Sequence, residues 1–173
     1  VAKFAAGGKP LMKKDLGRVA MNYENIYVAS IAIGADPKQA IKAMTEANSY
    51  DGPAIVIAYS PCQQHGMPAK LGMSHQADEQ RKAVESGYWP LYRYDPRRRE
   101  KGENPFQLDF KKLKIQVSEF LEGENRFAML DRANPEKAKM LHEELQKEVE
   151  KRHAERVRMA MSDKQLYKEL NKT

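Results

Sequence analysis

The stretch that decides the fold runs from residue 25 to residue 33 and has the sequence NIYVASIAI. It is almost continuously apolar and rich in β-branched side chains, which is typical of a strand that is covered on both faces. A second stretch of the same character, PAIVIAY, occupies residues 53–59 and follows the turn sequence Asp51-Gly52. Two such strands predict a buried sheet inside an α/β domain.

The segment between these strands has the features of a helix. Asp36 is a good N-cap residue, and Pro37 suits the first helical position. Ala40, Ile41 and Met44 follow at helical spacing on one face. A helix that joins two consecutive strands is a crossover connection, so the pattern predicts that the two strands are parallel.

A second helix and a third strand complete the predicted sheet. Ser74 can cap a helix that continues to about Ser86, with Gly87 as its stop. Residues 89–94 then predict a short strand, and Pro90 within it indicates an edge position or a strand start. Three strands are fewer than a typical sheet contains. We therefore expect a short parallel sheet that is part of a larger one, with the rest preceding this segment.

The character of the chain changes after the third strand. Residues 97–114 are charged and lack periodicity, which predicts a long surface connection, and helices follow from Val117 onwards. Asn134-Pro135 opens a long helix whose apolar stripe includes Leu141, Leu145 and Val149. We expect an α/β unit at residues 1–114 and a helical C-terminal segment at residues 115–173.

The overall charge and hydropathy exclude few classes of function. The 173 residues carry a formal net charge of +6, and the basic cluster Arg97-Arg98-Arg99 keeps open the alternative of a stand-alone basic module that binds a protein or a nucleic acid. Such clusters are usually solvated loops, so we expect no nucleic-acid partner. No apolar run is long enough to span a bilayer, and no secretory signal is evident, which favours a cytoplasmic protein without a membrane partner.

The densest functional signal follows the second strand, where the sequence is Ser60-Pro61-Cys62-Gln63-Gln64-His65-Gly66. Ligands of open α/β sheets bind beyond the carboxyl ends of the strands, which is where this loop is expected. Four interpretations of Cys62 remain open on these residues alone. It is an inert buried thiol, a zinc ligand with His65 and His75, a nucleophile paired with a histidine, or one ligand of an iron–sulfur cluster whose other thiolates lie elsewhere.

Four stretches of the sequence resemble the pyruvate:ferredoxin (flavodoxin) oxidoreductase family. In order along the chain they are residues 1–16 (VAKFAAGGKPLMKKDL), residues 51–66 with the cysteine loop, residues 87–96 (GYWPLYRYDP) and residues 104–109 (NPFQLD). Their order and spacing fit the family, and the resemblance extends from residue 1 to about residue 130.

The resemblance implies a fold and an activity. The fold would be the C-terminal part of a three-layer α/β/α thiamine-diphosphate-binding domain, followed by a helical tail. The full-length enzyme would convert pyruvate and coenzyme A to acetyl-CoA with thiamine diphosphate and magnesium, and pass electrons through [4Fe–4S] clusters to ferredoxin or flavodoxin. We expect a homodimer of full-length chains.

The resemblance also implies what this segment contributes. Cys62 matches the family cysteine that supplies a remote ligand to the cluster nearest the thiamine diphosphate. The thiamine and magnesium motif would lie before Val1, and the other cysteines of the cluster would come from the remainder of the same polypeptide. We therefore assign no catalytic or thiamine-binding residue here and expect the isolated chain to be inactive.

Overall fold

The computed structural model describes residues 14–62, 66 and 72–162. Its elements, in chain order, are α1 (Leu16–Met21), β1 (Tyr27–Ile31), α2 (Pro37–Asn48), β2 (Ala54–Ala58), α3 (Gln76–Glu85), β3 (Tyr92–Tyr94), β4 (Phe106–Leu108), α4 (Val117–Leu121), α5 (Asn125–Ala133) and α6 (Pro135–Met159). Short 3-10 helices occupy Met73–His75 and Pro96–Lys101. The predicted α/β class with a helical C-terminal segment is confirmed.

The sheet has the strand order β2-β1-β3-β4. β1 and β2 are parallel, as the crossover through α2 predicts, with Tyr27 opposite Ala54 and Ile31 opposite Ala58. β3 pairs with β1 in the antiparallel direction, and β4 pairs with β3 in the same way. The predicted parallel arrangement is therefore correct for the first two strands only, and β3 is an interior strand, not an edge strand.

Contacts of Trp89 account for the direction of β3. The Trp89 indole Nε1 donates to the Ile31 carbonyl oxygen at 3.0 Å, and its backbone amide donates to the Ala83 carbonyl oxygen at 2.8 Å. The chain thus leaves α3 and enters β3 beside the carboxyl end of β1. A strand that starts at that end must run antiparallel to β1.

Helices cover both faces of the sheet. On one face, alternate residues of β1 (Tyr27, Ala29 and Ile31) pack against Ala40 and Ala43 of α2. On the other face, Val28 joins a cluster formed by α1, β3, β4 and the end of α6, in which Ala20, Tyr92, Tyr94, Phe106 and Leu108 are buried. Every residue of β1 is buried, as its continuous apolar sequence predicts.

The predicted surface connection at residues 97–114 contains structure that the sequence pattern did not reveal. Phe106 and Leu108 are buried in β4, where they extend the sheet. Asn104 fixes the start of this strand, since its side-chain oxygen accepts from the Phe106 amide and its side-chain nitrogen donates to the Met159 carbonyl. Three residues are too few to show the two-residue periodicity of a strand.

The C-terminal helices pack on α3. Ala83 of α3, Val117, Phe120 and Leu121 of α4 and Val149 of α6 form one buried cluster. Asn134 caps α6 as predicted, because its side-chain oxygen accepts from the Lys137 amide at 3.0 Å. The division of the chain into an α/β unit at residues 1–114 and a helical segment at residues 115–173 stays a prediction. Among the residues described, none of the helices is long and apolar enough to cross a membrane.

Candidate functional site

Cys62 lies four residues beyond the end of β2, at the carboxyl edge of the parallel strand pair. The Tyr59 amide extends this pairing by donating to the Ile31 carbonyl oxygen at 2.9 Å. Pro61 is buried, whereas Cys62 is partly exposed. Cys62 is thus held close to the carboxyl end of the parallel strands and is partly exposed.

Gly66 brings the chain back onto Cys62. Its amide donates to the Cys62 carbonyl oxygen at 2.6 Å, and its own carbonyl accepts from the Asn125 amide, at the start of α5, at 2.7 Å. A Cβ atom at Gly66 would collide with the Cys62 carbonyl oxygen and lie 3.1 Å from Glu124 Oε2. Only glycine therefore permits this close return of the backbone.

An ion pair between the fully buried Glu124 and the partly exposed Arg126 lies next to Gly66. Glu124 is 0% exposed, and its Oε2 accepts from Arg126 Nε at 2.7 Å. The Tyr59 hydroxyl donates to the other carboxylate oxygen at 3.4 Å. Burial alone would lower the pKa of Arg126, but the Glu124 carboxylate raises that pKa above its usual value. The Arg126 guanidinium is consequently charged where it meets the Glu124 carboxyl group.

A second carboxyl group, that of Glu79 in α3, faces the same region. Glu79 is 4% exposed, and its Oε1 has no hydrogen-bond partner within the described part of the chain. A Cβ atom at Gly123 would lie 2.5 Å from this oxygen, so the α4–α5 turn packs directly on the carboxyl group. Burial, opposed by Lys82 and reinforced by the charge of Glu124, raises the pKa of Glu79.

Aromatic rings pack around Tyr59, whose hydroxyl donates to Glu124. The Tyr59 ring lies 5.2 Å from Trp89 and 6.5 Å from Phe120, and Tyr88 lies 4.6 Å from Phe120, all between ring centroids. Burial and the nearby Glu124 carboxylate raise the pKa of Tyr59, so its hydroxyl keeps its proton and acts as a donor. Charges in such an apolar setting interact more strongly than they would in water.

Residues 63–65, and with them the His65 of the zinc hypothesis, lie outside the described ranges. Within those ranges, no group of three or more His, Cys, Asp or Glu residues is arranged to hold a metal ion. His75 is exposed at the start of α3. The sequence has one cysteine, and four thiolates commonly hold a [4Fe–4S] cluster. Cys62 thus fits as the donor of one ligand to a shared centre.

The two histidines of α6, His142 and His153, are partly buried. His153 Nε2 lies 2.9 Å from the Lys111 carbonyl oxygen. His142 Nδ1 lies 3.7 Å from the Asp131 carboxylate. These contacts tie α6 to its surroundings and give neither histidine a place at the Cys62 loop.

The basic cluster at residues 97–99 is engaged within the protein. Arg97 pairs with Asp95 at 2.7 Å, Arg98 with Glu103 at 3.0 Å, and Arg99 with Glu24 at 3.3 Å. Each guanidinium thus has an acidic neighbour that offsets its charge. This arrangement does not favour the alternative of a nucleic-acid-binding module, which needs positive charge available to phosphates.

Sequence reasoning singled out Cys62 and Gly66 but missed Glu79, Glu124 and Arg126. Glu124 and Arg126 lie in a polar stretch that looks like an exposed turn in the sequence. A weak signal was present for Glu79, since it precedes the buried Ala83 by four residues and therefore shares its helix face. Nothing in the sequence shows that Glu79 meets the α4–α5 turn or that Glu124 meets Gly66.

Curated relatives match most of the chain, whereas no family model matches it. The chain is 51% identical over 152 residues to the pyruvate-flavodoxin oxidoreductase of a Nostoc species, a match that covers 88% of the chain. It is 51% identical over 141 residues to the pyruvate:ferredoxin oxidoreductase of Moorella thermoacetica, covering 82% of the chain. It is also 46% identical over 145 residues to a mitochondrial pyruvate dehydrogenase [NADP(+)] of Euglena gracilis, covering 84%.

The chain corresponds to a small part of each relative. It spans 12% of the Nostoc and Moorella proteins and 8% of the Euglena protein. The identity is high over this span, and the resemblance seen in the sequence is confirmed. The chain belongs to the pyruvate:ferredoxin (flavodoxin) oxidoreductase family.

Proposed function

We propose that the full-length protein oxidatively decarboxylates pyruvate to acetyl-CoA and that this chain supplies one iron ligand, Cys62, to its electron-transfer system. Pyruvate is common to the names of the similar proteins, whereas their electron acceptors differ. The single observation that carries the proposal is the position of the only cysteine, partly exposed at the carboxyl edge of a parallel strand pair. Ligand and cofactor sites of α/β sheets lie at that edge.

The proposed reaction balances in atoms and charge. Pyruvate loses carbon dioxide, and its acetyl group forms a thioester bond with the sulfur of coenzyme A. One proton and two electrons are released, and the electrons reduce ferredoxin or flavodoxin. Thiamine diphosphate with magnesium would supply the chemistry of decarboxylation, and [4Fe–4S] clusters would carry the electrons.

The residues described here have a supporting role in this scheme. Cys62 would bind iron through its thiolate, and the Tyr59 ring, three residues earlier, packs beside Trp89 and Phe120. The other three thiolates must come from the remainder of the polypeptide, because the sequence holds one cysteine. The isolated chain is therefore expected to be inactive. The homodimer, the cytoplasmic location and the thiamine site before Val1 stay predictions.

Replacement of Cys62 in the full-length protein tests this role. We expect Cys62→Ala to lower the iron content by up to one cluster per chain, to change one cluster signal in electron paramagnetic resonance, and to slow reduction of the acceptor. Ser60→Ala is the matched control, because Ser60 is an exposed residue of the same loop. Unchanged iron content and unchanged cluster spectra in Cys62→Ala would refute the ligand role.

A further inference from the structure

We infer that Glu124 and Arg126 are positioning residues that fix the backbone at Cys62 and at Gly66. This inference builds on the proposed role of Cys62 as an iron ligand. It concerns residues on the α4–α5 turn, which lies about sixty residues further along the chain than the cysteine. The turn and the loop meet only through the fold.

Two backbone hydrogen bonds connect the loop to this turn. The Gly66 amide donates to the Cys62 carbonyl oxygen at 2.6 Å, which holds Gly66 against Cys62. The Asn125 amide then donates to the Gly66 carbonyl oxygen at 2.7 Å, which ties Gly66 to the first residue of α5. The position of the Cys62 backbone therefore depends on where the start of α5 is held.

The ion pair holds the start of α5 in place. Glu124 immediately precedes Asn125, and its side chain turns inward, where it is 0% exposed. Arg126 Nε donates to Glu124 Oε2 at 2.7 Å, and the Tyr59 hydroxyl donates to Glu124 Oε1 at 3.4 Å. Since Tyr59 directly follows β2, the carboxylate links the turn to the sheet end from which the loop departs.

Steric contact adds to these bonds. Glu124 Oε2 lies 3.1 Å from the point where a Cβ atom of Gly66 would be, so the carboxylate fills the space behind the glycine. A buried ion pair gives little net stability compared with apolar packing, because both charges lose their hydration. It does restrict geometry, since each charge accepts only a few positions that satisfy the other. An ion pair with restricted geometry is suited to hold the backbone beside the iron-binding Cys62 in one orientation.

The test uses the full-length protein with Glu124→Gln, Arg126→Gln and the control Glu122→Gln. Glu122 is exposed and lies two residues from Glu124. We expect the peptide that spans residues 59–66 to exchange its amide hydrogens at least ten-fold faster in both buried-pair variants and at the native rate in the control. If Glu124→Gln fails to fold, Tyr59→Phe removes only the phenol donor, and we expect a smaller acceleration in the same peptide.

A second measurement separates positioning from electrostatics. Replacing Glu124 removes a negative charge and replacing Arg126 removes a positive one, so a purely electrostatic effect would shift the cluster midpoint potential in opposite directions. A positioning effect broadens the cluster signal in both variants and accelerates exchange in both. Native exchange rates at residues 59–66 in both variants would overturn the inference, as would an equal acceleration in β1.

The inference and the proposed function fail in different ways. Intact cluster spectra in Cys62→Ala would remove the ligand role, yet the exchange data would still report whether the ion pair fixes the loop. Altered spectra in Cys62→Ala, together with native exchange in Glu124→Gln and Arg126→Gln, would leave the ligand role standing and reject the positioning role.

Discussion

Glu79 and Glu124 place two carboxyl groups in one buried region, and the described contacts of the two differ. Glu124 has Arg126 and Tyr59 as donors, whereas Glu79 Oε1 has none among the residues described. Burial and the charge of Glu124 raise the pKa of Glu79 despite the opposing effect of Lys82. Because an uncompensated buried charge is costly, the ionised form of Glu79 destabilises the folded state.

The raised pKa of Glu79 gives a prediction for pH dependence. The folded state retains this proton to a higher pH than the unfolded state does, so the stability falls as the pH rises from the ordinary value of 4.5 through the folded-state pKa. We expect Glu79→Gln to raise the free energy of unfolding by about 1 kcal/mol at pH 7, because the buried charge is removed. Below pH 4.5 the variant should gain little.

Thermal unfolding at several pH values checks this expectation, with the exposed Glu122→Gln as the control. A gain for Glu79→Gln that is the same at every pH would show that the benefit does not come from the charge. A gain in the control as well would assign it to the net charge of the protein.

At the level of the elements, a polar network in the layer between α2 and the sheet holds helix and strands together. Arg93 of β3 is 5% exposed and binds Asp109 at 2.8 Å and Glu46 of α2 at 2.6 Å. The Tyr27 hydroxyl donates to the other oxygen of Glu46, and Gln39 Nε2 donates to Asp109. Each carboxylate is thereby shared between two elements, which fixes the position of α2 on the sheet.

Removing Arg93 should therefore be costly. Arg93→Met keeps much of the side-chain volume but leaves the Glu46 and Asp109 carboxylates without their main counter-charge. We expect a loss of about 3 kcal/mol in the free energy of unfolding. Arg81→Met is the control, because the Arg81–Asp78 pair is half-exposed and should contribute less than about 1 kcal/mol. Chemical denaturation of both variants measures the difference, and equal losses would contradict the role of the buried network.

The sequence predicted the fold best for the helices and for the first two strands. Asp36 caps α2 as predicted, with its carboxylate accepting from the Gln39 amide at 2.9 Å, because capping depends on residues adjacent in the chain. The direction of β3 depends on the contact between Trp89 and Ile31, which are 58 residues apart. In the same way Cys62 could be singled out from its own loop, whereas Glu124 became visible only when the fold brought it to Gly66.

For the whole molecule, the described surface is apolar in places that an independent domain would cover. Ile41 and Met44 on the outer face of α2 are 67% and 54% exposed. β2 forms one edge of the sheet with the sequence AIVIA, and none of the described residues pairs with its outer side. An uncharged apolar edge strand readily pairs with another chain. Because the relatives are far longer than this chain, we expect the rest of the polypeptide to cover these surfaces.

The isolated chain should consequently self-associate, whereas the same residues should be covered in the full-length protein. Light scattering coupled to size exclusion checks the mass of the isolated chain, and we expect a species larger than 19.8 kDa that grows with concentration. Ile41→Glu and Met44→Glu should reduce this association, because each places a charge on the apolar face. Thr45→Glu adds the same charge at an exposed polar position of α2 and serves as the control. A monomer at all concentrations would mean that the outer face of α2 and the edge of β2 do not drive association. An equal reduction by Thr45→Glu would assign the association to net charge instead of apolar contact.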